Sequence, residues 1–258
     1  MKLVISPAKS LNWEVNYPES LQLTQPRFLG ESTKVNNALK KYSAKKLMKL
    51  QSISINLAEL NYSRNQNWEA ETDDIYGMPA VYAFDGDVYR GLEIADWAEQ
   101  HQDKIQKDLR ILSGLYGILK PLDIIRQYRL EMGTRLKIRR TDNLYQFWRK
   151  HIAASLKAEM EDGERLINLA SSEYFKSIDL KELNRPVTQV EFKDRSQSGF
   201  KVMSFYAKKA RGMMTRHILE NNITDINGVT SFSSDGYFFD KENSSEEKLI
   251  FLNEREKK

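Results

Sequence analysis

Cysteine is absent from the 258 residues, and histidine occurs three times. No disulfide framework and no thiolate nucleophile is therefore available. His101, His151 and His217 stand far apart, without the H-E-x-x-H spacing of a zinc site. The residue types call for no metal and no cofactor. Phosphate-cradling and nucleophile-elbow patterns are missing too: there is no G-x-x-x-x-G-K-[ST], no G-x-G-x-x-G opening a helix and no G-x-S-x-G. No apolar run approaches the roughly 18 residues of a membrane span. The start, MKLVISPAKS, turns polar too early for a signal peptide. These absences describe a soluble, cytoplasmic protein with no membrane partner.

What is present is an ordinary globular composition, 40% hydrophobic and 29% charged, with a formal net charge of only +4. That small sum conceals strong segregation. Residues 32–58 carry Lys34, Lys40, Lys41, Lys45, Lys46 and Lys49 and no acid. Residues 126–140 carry Arg126, Arg129, Arg135, Lys137, Arg139 and Arg140 against Glu131 alone. Residues 195–219 carry Arg195, Lys201, Lys208, Lys209, Arg211 and Arg216 and no acid. Between Glu69 and Asp103 acids dominate, with Arg90 the one cation. A single basic block is a solvated face; three suggest a basic cleft for a polyanion. The pairs Asp73–Asp74 and Asp85–Asp87 in the acidic segment read as surface or turn.

Periodicity gives an α+β chain. Residues 2–6, 80–84, 165–171 and the end segments GYFFD and KLIFL read as strands. RILSGLYGIL reads as a strand breaking into glycines. PVTQVEF and FKVMSFY form a hairpin across KDRSQSG. Helices are expected at 144–161 and from Ala207 to Glu220, and a short one at SEYFKSI. Residues 32–65 read as helix, turn, helix with Ser43 capping the second, a possible lobe. With no repeat and no Pro/Gly/Ser linker, residues 1–258 form one mixed domain, a central mixed β-sheet surrounded by helices.

Three strands end in small polar residues, at LVIS-PAKS, ILSG-LYG and NLAS-SEYF. Ligands of α/β sheets gather beyond such carboxyl ends. Ser6, Lys9, Ser171 and Ser172 are the candidate catalytic set, with Lys9 as base or nucleophile or as a plain anion-binding lysine. On a helical wheel Lys208, Lys209, Arg211 and Arg216 share one arc with Gly212 at its middle, opposite Ala207, Ala210, Met213, Met214 and Ile218. Gly212 either lets a phosphate backbone come close or packs another element. The candidate phosphate-binding set is Lys9, Arg126, Arg129, Lys208, Lys209, Arg211, Gly212 and Arg216. If basic blocks and strand ends share a site, Lys9, Ser171 and Lys208 must line one concavity.

SPAKSL, FDGDVYRGL, LSGLYGILKPLDIIRQYRLEMG, NLASSEYFKSI and SFYAKKARGMMTRHI, in order from Ser6 to Ile218, resemble the YaaA family of bacterial peroxide stress resistance proteins. The resemblance implies a cytoplasmic protein of hydrogen peroxide defence, associated with limiting free iron and DNA damage. It also implies a single-domain fold with a positively charged cleft and a helix-hairpin-helix element that bind DNA. That element falls at Lys34–Leu60 or at LSGLYGILKPLDII. Two functions stand side by side: sequence-independent DNA binding, or an enzyme acting on a nucleotide or damaged base at the strand ends. A plain binder of a small phosphorylated ligand is the third.

Overall fold

The run Lys-Leu-Val-Ile near the start is buried along its whole length, as expected of a parallel strand covered on both faces. It opens a computed structural model that describes residues 1–70, 76–97 and 99–255; Asp73 and Asp74 lie outside them. First come β1 (Lys2–Ile5), β2 (Ser10–Leu11), α1 (Leu29–Leu39), α2 (Ala44–Gln51) and α3 (Ile55–Asn67). Then follow β3 (Met78–Pro79), α4 (Ala80–Ala83), β4 (Phe84–Asp85), α5 (Asp87–Leu92), α6 (Gln102–Asp108), β5 (Leu109–Ser113), β6 (Gly117–Leu119) and β7 (Ile124–Ile125). The third stretch holds α7 (Leu144–Glu159), β8 (Leu166–Leu169), α8 (Ser172–Phe175), α9 (Leu180–Leu183), β9 (Val187–Ser196) and β10 (Gly199–Lys201). Last are α10 (Ser204–Glu220), α11 (Ile226–Thr230), β11 (Tyr237–Phe239) and β12 (Lys248–Asn253).

Eight strands form one mixed sheet in the order β11-β12-β9-β8-β1-β5-β6, with β10 paired to β9. The β12-β9-β8-β1-β5 centre is parallel, and β11, β10 and β6 are antiparallel additions. β1 lies between β5 and β8, in register Leu3 to Leu109 and Leu3 to Ile167. The chain leaving β1 goes on to β5, whereas the chain leaving β8 goes on to β9 on the other side. Two neighbouring strands whose connections diverge leave a crevice beyond their carboxyl ends. Helices surround the sheet, as the alternation of elements implied.

Several local expectations are corrected. Residues 80–83 are a helical turn rather than a strand, fully buried between β3 and β4. Lys34–Leu60 spans three helices, not two, with turns at 40–43 and 52–54. The hairpin is tighter than expected: β9 runs on to Ser196, which pairs with Gly199 across two residues. Ser204, Phe205 and Tyr206 open α10 instead of closing a strand. The exit ILSG-LYG is not a ligand site. Ser113 is fully buried, 2.6 Å from Tyr128 Oη, and accepts from the Tyr116 amide. Gly117 has φ +73°, and a Cβ there would stand 2.5 Å from the Trp148 ring. Trp148 in turn donates its indole N–H to the Gly114 carbonyl at 2.9 Å. The glycines serve the core.

One buried acid makes stability pH-dependent. Asp123, 2% exposed, accepts from Thr24 Oγ1 at 2.6 Å and from the Lys120 amide at 2.7 Å. Burial nevertheless outweighs these bonds and pushes its carboxyl up to about 6. A raised acid pKa means the folded state binds the proton more tightly, so Asp123 adds stability as pH falls through 6 and keeps adding until the unfolded chain protonates near 4. Between pH 7.5 and 5 its share comes to roughly 1–1.5 kcal/mol. In urea titrations at the two pH values, Asp123→Asn should lack that share; identical pH dependence in both proteins would contradict the assignment.

Candidate functional site

Beyond the carboxyl ends of β1 and β8 lies a cavity of about 250 Å³, lined among others by Ser6, Lys9, Ser171, Lys208 and Arg211. Pro7 stops β1 and turns the chain across the strand ends. Ser6 bridges the two exits, because its Oγ accepts the Ser171 amide at 2.9 Å and lies 3.3 Å from Ser171 Oγ. Its carbonyl takes the buried Tyr89 hydroxyl at 3.1 Å. The following residues fold back as β2 and pair with β4, Ser10 opposite Asp85. That pairing brings SPAKSL against FDGDVYRGL, so Asp85, Gly86 and Asp87 form a further wall.

Lys208 and Arg211 enter from α10, three residues apart and thus on one helix face. Lys9, Ser171 and Lys208 do line one concavity. Ser172 does not; it is exposed at the start of α8. Lys9 is 68% exposed with its ammonium 3.8 Å from Glu131, the arrangement of a surface ion pair rather than of a desolvated base. Arg211 is different. Its Nε is buried without a hydrogen-bond partner, and among the described residues its guanidinium forms no ion pair. Desolvation lowers its pKa, with the charge of Glu191 acting in the opposite direction.

Three other predicted phosphate ligands, Arg126, Arg129 and Arg216, are engaged elsewhere. Arg126 pairs with Glu69 at 3.0 Å and donates to the Asn67 carbonyl. Arg129 pairs with Glu131 at 3.1 Å. Arg216 pairs with Glu93 at 3.0 Å and Glu220 at 3.1 Å, above the Trp97 ring. Gly212 is not an opening for phosphate. A Cβ on it would stand 1.8 Å from the Val88 carbonyl oxygen, because α5 crosses α10 there. Lys209 sets its carbonyl against Gly91 of the same crossing.

A second concavity, about 620 Å³ in volume, lies between α1, α2 and the segment 137–139. Lys34, Lys41, Lys46, Lys137 and Arg139 line it and no carboxylate does. Here the first two basic blocks meet, nearly a hundred residues apart in the chain. Arg139 sits in a tight turn closed by the Ile138–Thr141 pair of backbone hydrogen bonds, at φ +52°. A bulky residue rarely takes that conformation. Lys34 has Glu31 at 3.1 Å; the other four form no ion pair among the described residues.

The family profile described as peroxide stress protein YaaA matches residues 1–243. The chain belongs to this family. A UPF0246 protein of Flavobacterium johnsoniae is 46% identical over 251 residues, covering 97% of this chain and 99% of that one. Another of Aliivibrio fischeri is 44% identical over 260 residues, covering both chains fully. A role in peroxide stress is thereby supported for this YaaA-family chain. Among its described residues no helix is long and apolar enough to cross a membrane.

The carboxylates of the cavity went unread in the sequence. Asp85 and Asp87 looked like turn residues, and Glu173 followed a serine exit without distinction. Their one signal was a D-G-D flanked by apolar residues, which acquires meaning only once β4 pairs with β2. For the groove the blocks were visible, but the candidates drawn from 126–140 were Arg126 and Arg129 rather than Lys137 and Arg139.

Proposed function

We propose that this protein binds DNA during the response to hydrogen peroxide, holding the phosphate backbone largely without regard to sequence. The observation that carries the reading is the acid-free groove of Lys34, Lys41, Lys46, Lys137 and Arg139. Cations gathered from two distant segments with no carboxylate among them repel one another, and a polyanion relieves that repulsion. In this reading α1, the YSAKK turn and α2 are the helix-hairpin-helix-like element, laying lysines along the backbone. Any limit on iron-driven damage then acts through the DNA that is covered, since the chain has no cysteine and three scattered histidines.

Backbone contacts of this kind release counterions, so affinity falls steeply with salt. Four to five contacts give a slope of about −4 in log K against log salt, close to a 250-fold loss between 50 and 200 mM. Fluorescence anisotropy with duplexes of unrelated sequence checks both parts. A flat salt response, or binding confined to one sequence, would overturn the reading. The enzyme alternative rests on Lys9, and its exposed pairing with Glu131 gives it no support as a base.

A further inference from the structure

We propose that the β1/β8 crevice is a separate site for one small sugar-phosphate monoester, its phosphate on Arg211 and Lys208 and its hydroxyls on Asp85 and Asp87. The argument begins with the way the cavity keeps its charges apart. Three carboxylates (Asp85, Asp87 and Glu173) and three cations (Lys9, Lys208 and Arg211) line a space of about 250 Å³. Yet among the described residues neither Arg211 nor Lys208 forms an ion pair, with these acids or with any other. Opposite charges in so small a space normally close on each other. Here backbone packing holds them open.

That packing is the α5–α10 crossing. Gly91 of α5 meets the Lys209 carbonyl and Gly212 of α10 meets the Val88 carbonyl, so the two backbones are already in contact and neither helix can move closer to the other. Asp87 begins α5 and Arg211 precedes Gly212, and the two charges are therefore fixed by the same contact. Arg90 reaches Asp85 at 3.6 Å and Asp87 at 3.7 Å, tempering both carboxylates without covering them. Glu173 is occupied, accepting the Gly133 amide at 2.9 Å.

A site with an unpaired, partly desolvated guanidinium at one wall is completed by an anion, and a planar donor fork suits phosphate. Carboxylates that line the same cavity repel a second anion but accept from hydroxyls, as acidic residues do from ribose at α/β switch points. The position between β1 and β8 is that switch point. A ligand with phosphate at one end and a polyol at the other meets both walls. The volume admits one such unit and excludes a duplex. The sugar phosphate comes either free or as part of a nucleotide, and both present the same chemistry to these residues.

The test uses the full chain and calorimetric titration with inorganic phosphate, ribose 5-phosphate and adenosine 5′-monophosphate. Ribose 5-phosphate should bind at least tenfold more tightly than inorganic phosphate. A further gain with the nucleotide identifies the nucleotide as the source; equal affinity points to the free sugar phosphate. Arg211→Gln should weaken every probe at least tenfold while leaving the ligand-free melting temperature unchanged or higher, because it removes a partly desolvated charge that has no ion pair among the described residues. Lys208→Gln, at an exposed position, repeats the loss if the Arg211 variant misfolds. Asp87→Asn should erase the preference for ribose 5-phosphate over phosphate. No binding of any probe at millimolar concentration overturns the proposal, as does binding unchanged in both cation variants. Because the groove residues are not involved, Arg211→Gln should leave the salt slope of DNA binding as it was, so the two functions fail independently.

Discussion

Replacing Gly212 by alanine is expected to destabilise the protein by about 3 kcal/mol or more, although alanine is the better helix former by about 1 kcal/mol. An added Cβ would lie 1.8 Å from the Val88 carbonyl oxygen and 2.8 Å from the Leu92 amide nitrogen. Both are backbone atoms, so no side chain can swing aside. The helices must separate by more than an ångström, and the close packing along the crossing is forfeited. The reciprocal glycine, Gly91, whose Cβ would stand 2.1 Å from the Lys209 carbonyl oxygen, should behave alike. Gly30 supplies the contrast. It is exposed in α1 with nothing within 4 Å of an added Cβ, so Gly30→Ala should be neutral or slightly stabilising. Urea denaturation of the three variants decides it, and a Gly212→Ala protein as stable as wild type would remove the crossing as the determinant of the site.

The same glycine shows where reading the sequence stops. Its place among cations was evident from a helical wheel, and so was the choice between a phosphate approach and a packed neighbour. A wheel describes one helix, however, and α10 is covered on a second side by α5, whose six residues are too short to show periodicity. Strands β1, β5 and β8 were legible because burial on both faces demands largely apolar runs, interrupted here only by Lys2, Arg110, Ser113 and Asn168. AVYAF has the same composition and is helical in its first four residues, since β-branched and aromatic preference yields to tertiary context. Ser6 and Ser171 could be picked as strand exits, while Ser113 has identical local chemistry and lies sealed under Tyr128. Which exits open on a ligand depends on strand order, and order is a long-range property. Charge blocks have the same limit: composition reveals them, but Lys137 and Arg139 meet Lys41 and Lys46 only through the turn at Ile138–Thr141.

That meeting carries the second large effect. Changing Lys41, Lys137 and Arg139 together to glutamine should weaken duplex DNA binding on the order of 100-fold at low salt, near 3 kcal/mol. The slope of log K against log salt should become shallower by about 3, one for each phosphate no longer neutralised. Removing Lys181 and Lys241, exposed cations in α9 and in the turn between β11 and β12, should change neither quantity appreciably, which separates a groove from a mere sum of charge. The melting temperature of the triple variant should stay level or rise, since all three side chains are exposed and form no ion pair among the described residues. A variant that binds more weakly with an unchanged slope would mean that these side chains do not neutralise phosphates, and would sink the electrostatic reading. If instead affinity and slope both hold, DNA lies elsewhere on the molecule, and the groove needs a different anion to explain why four of its five cations have no ion pair among the described residues.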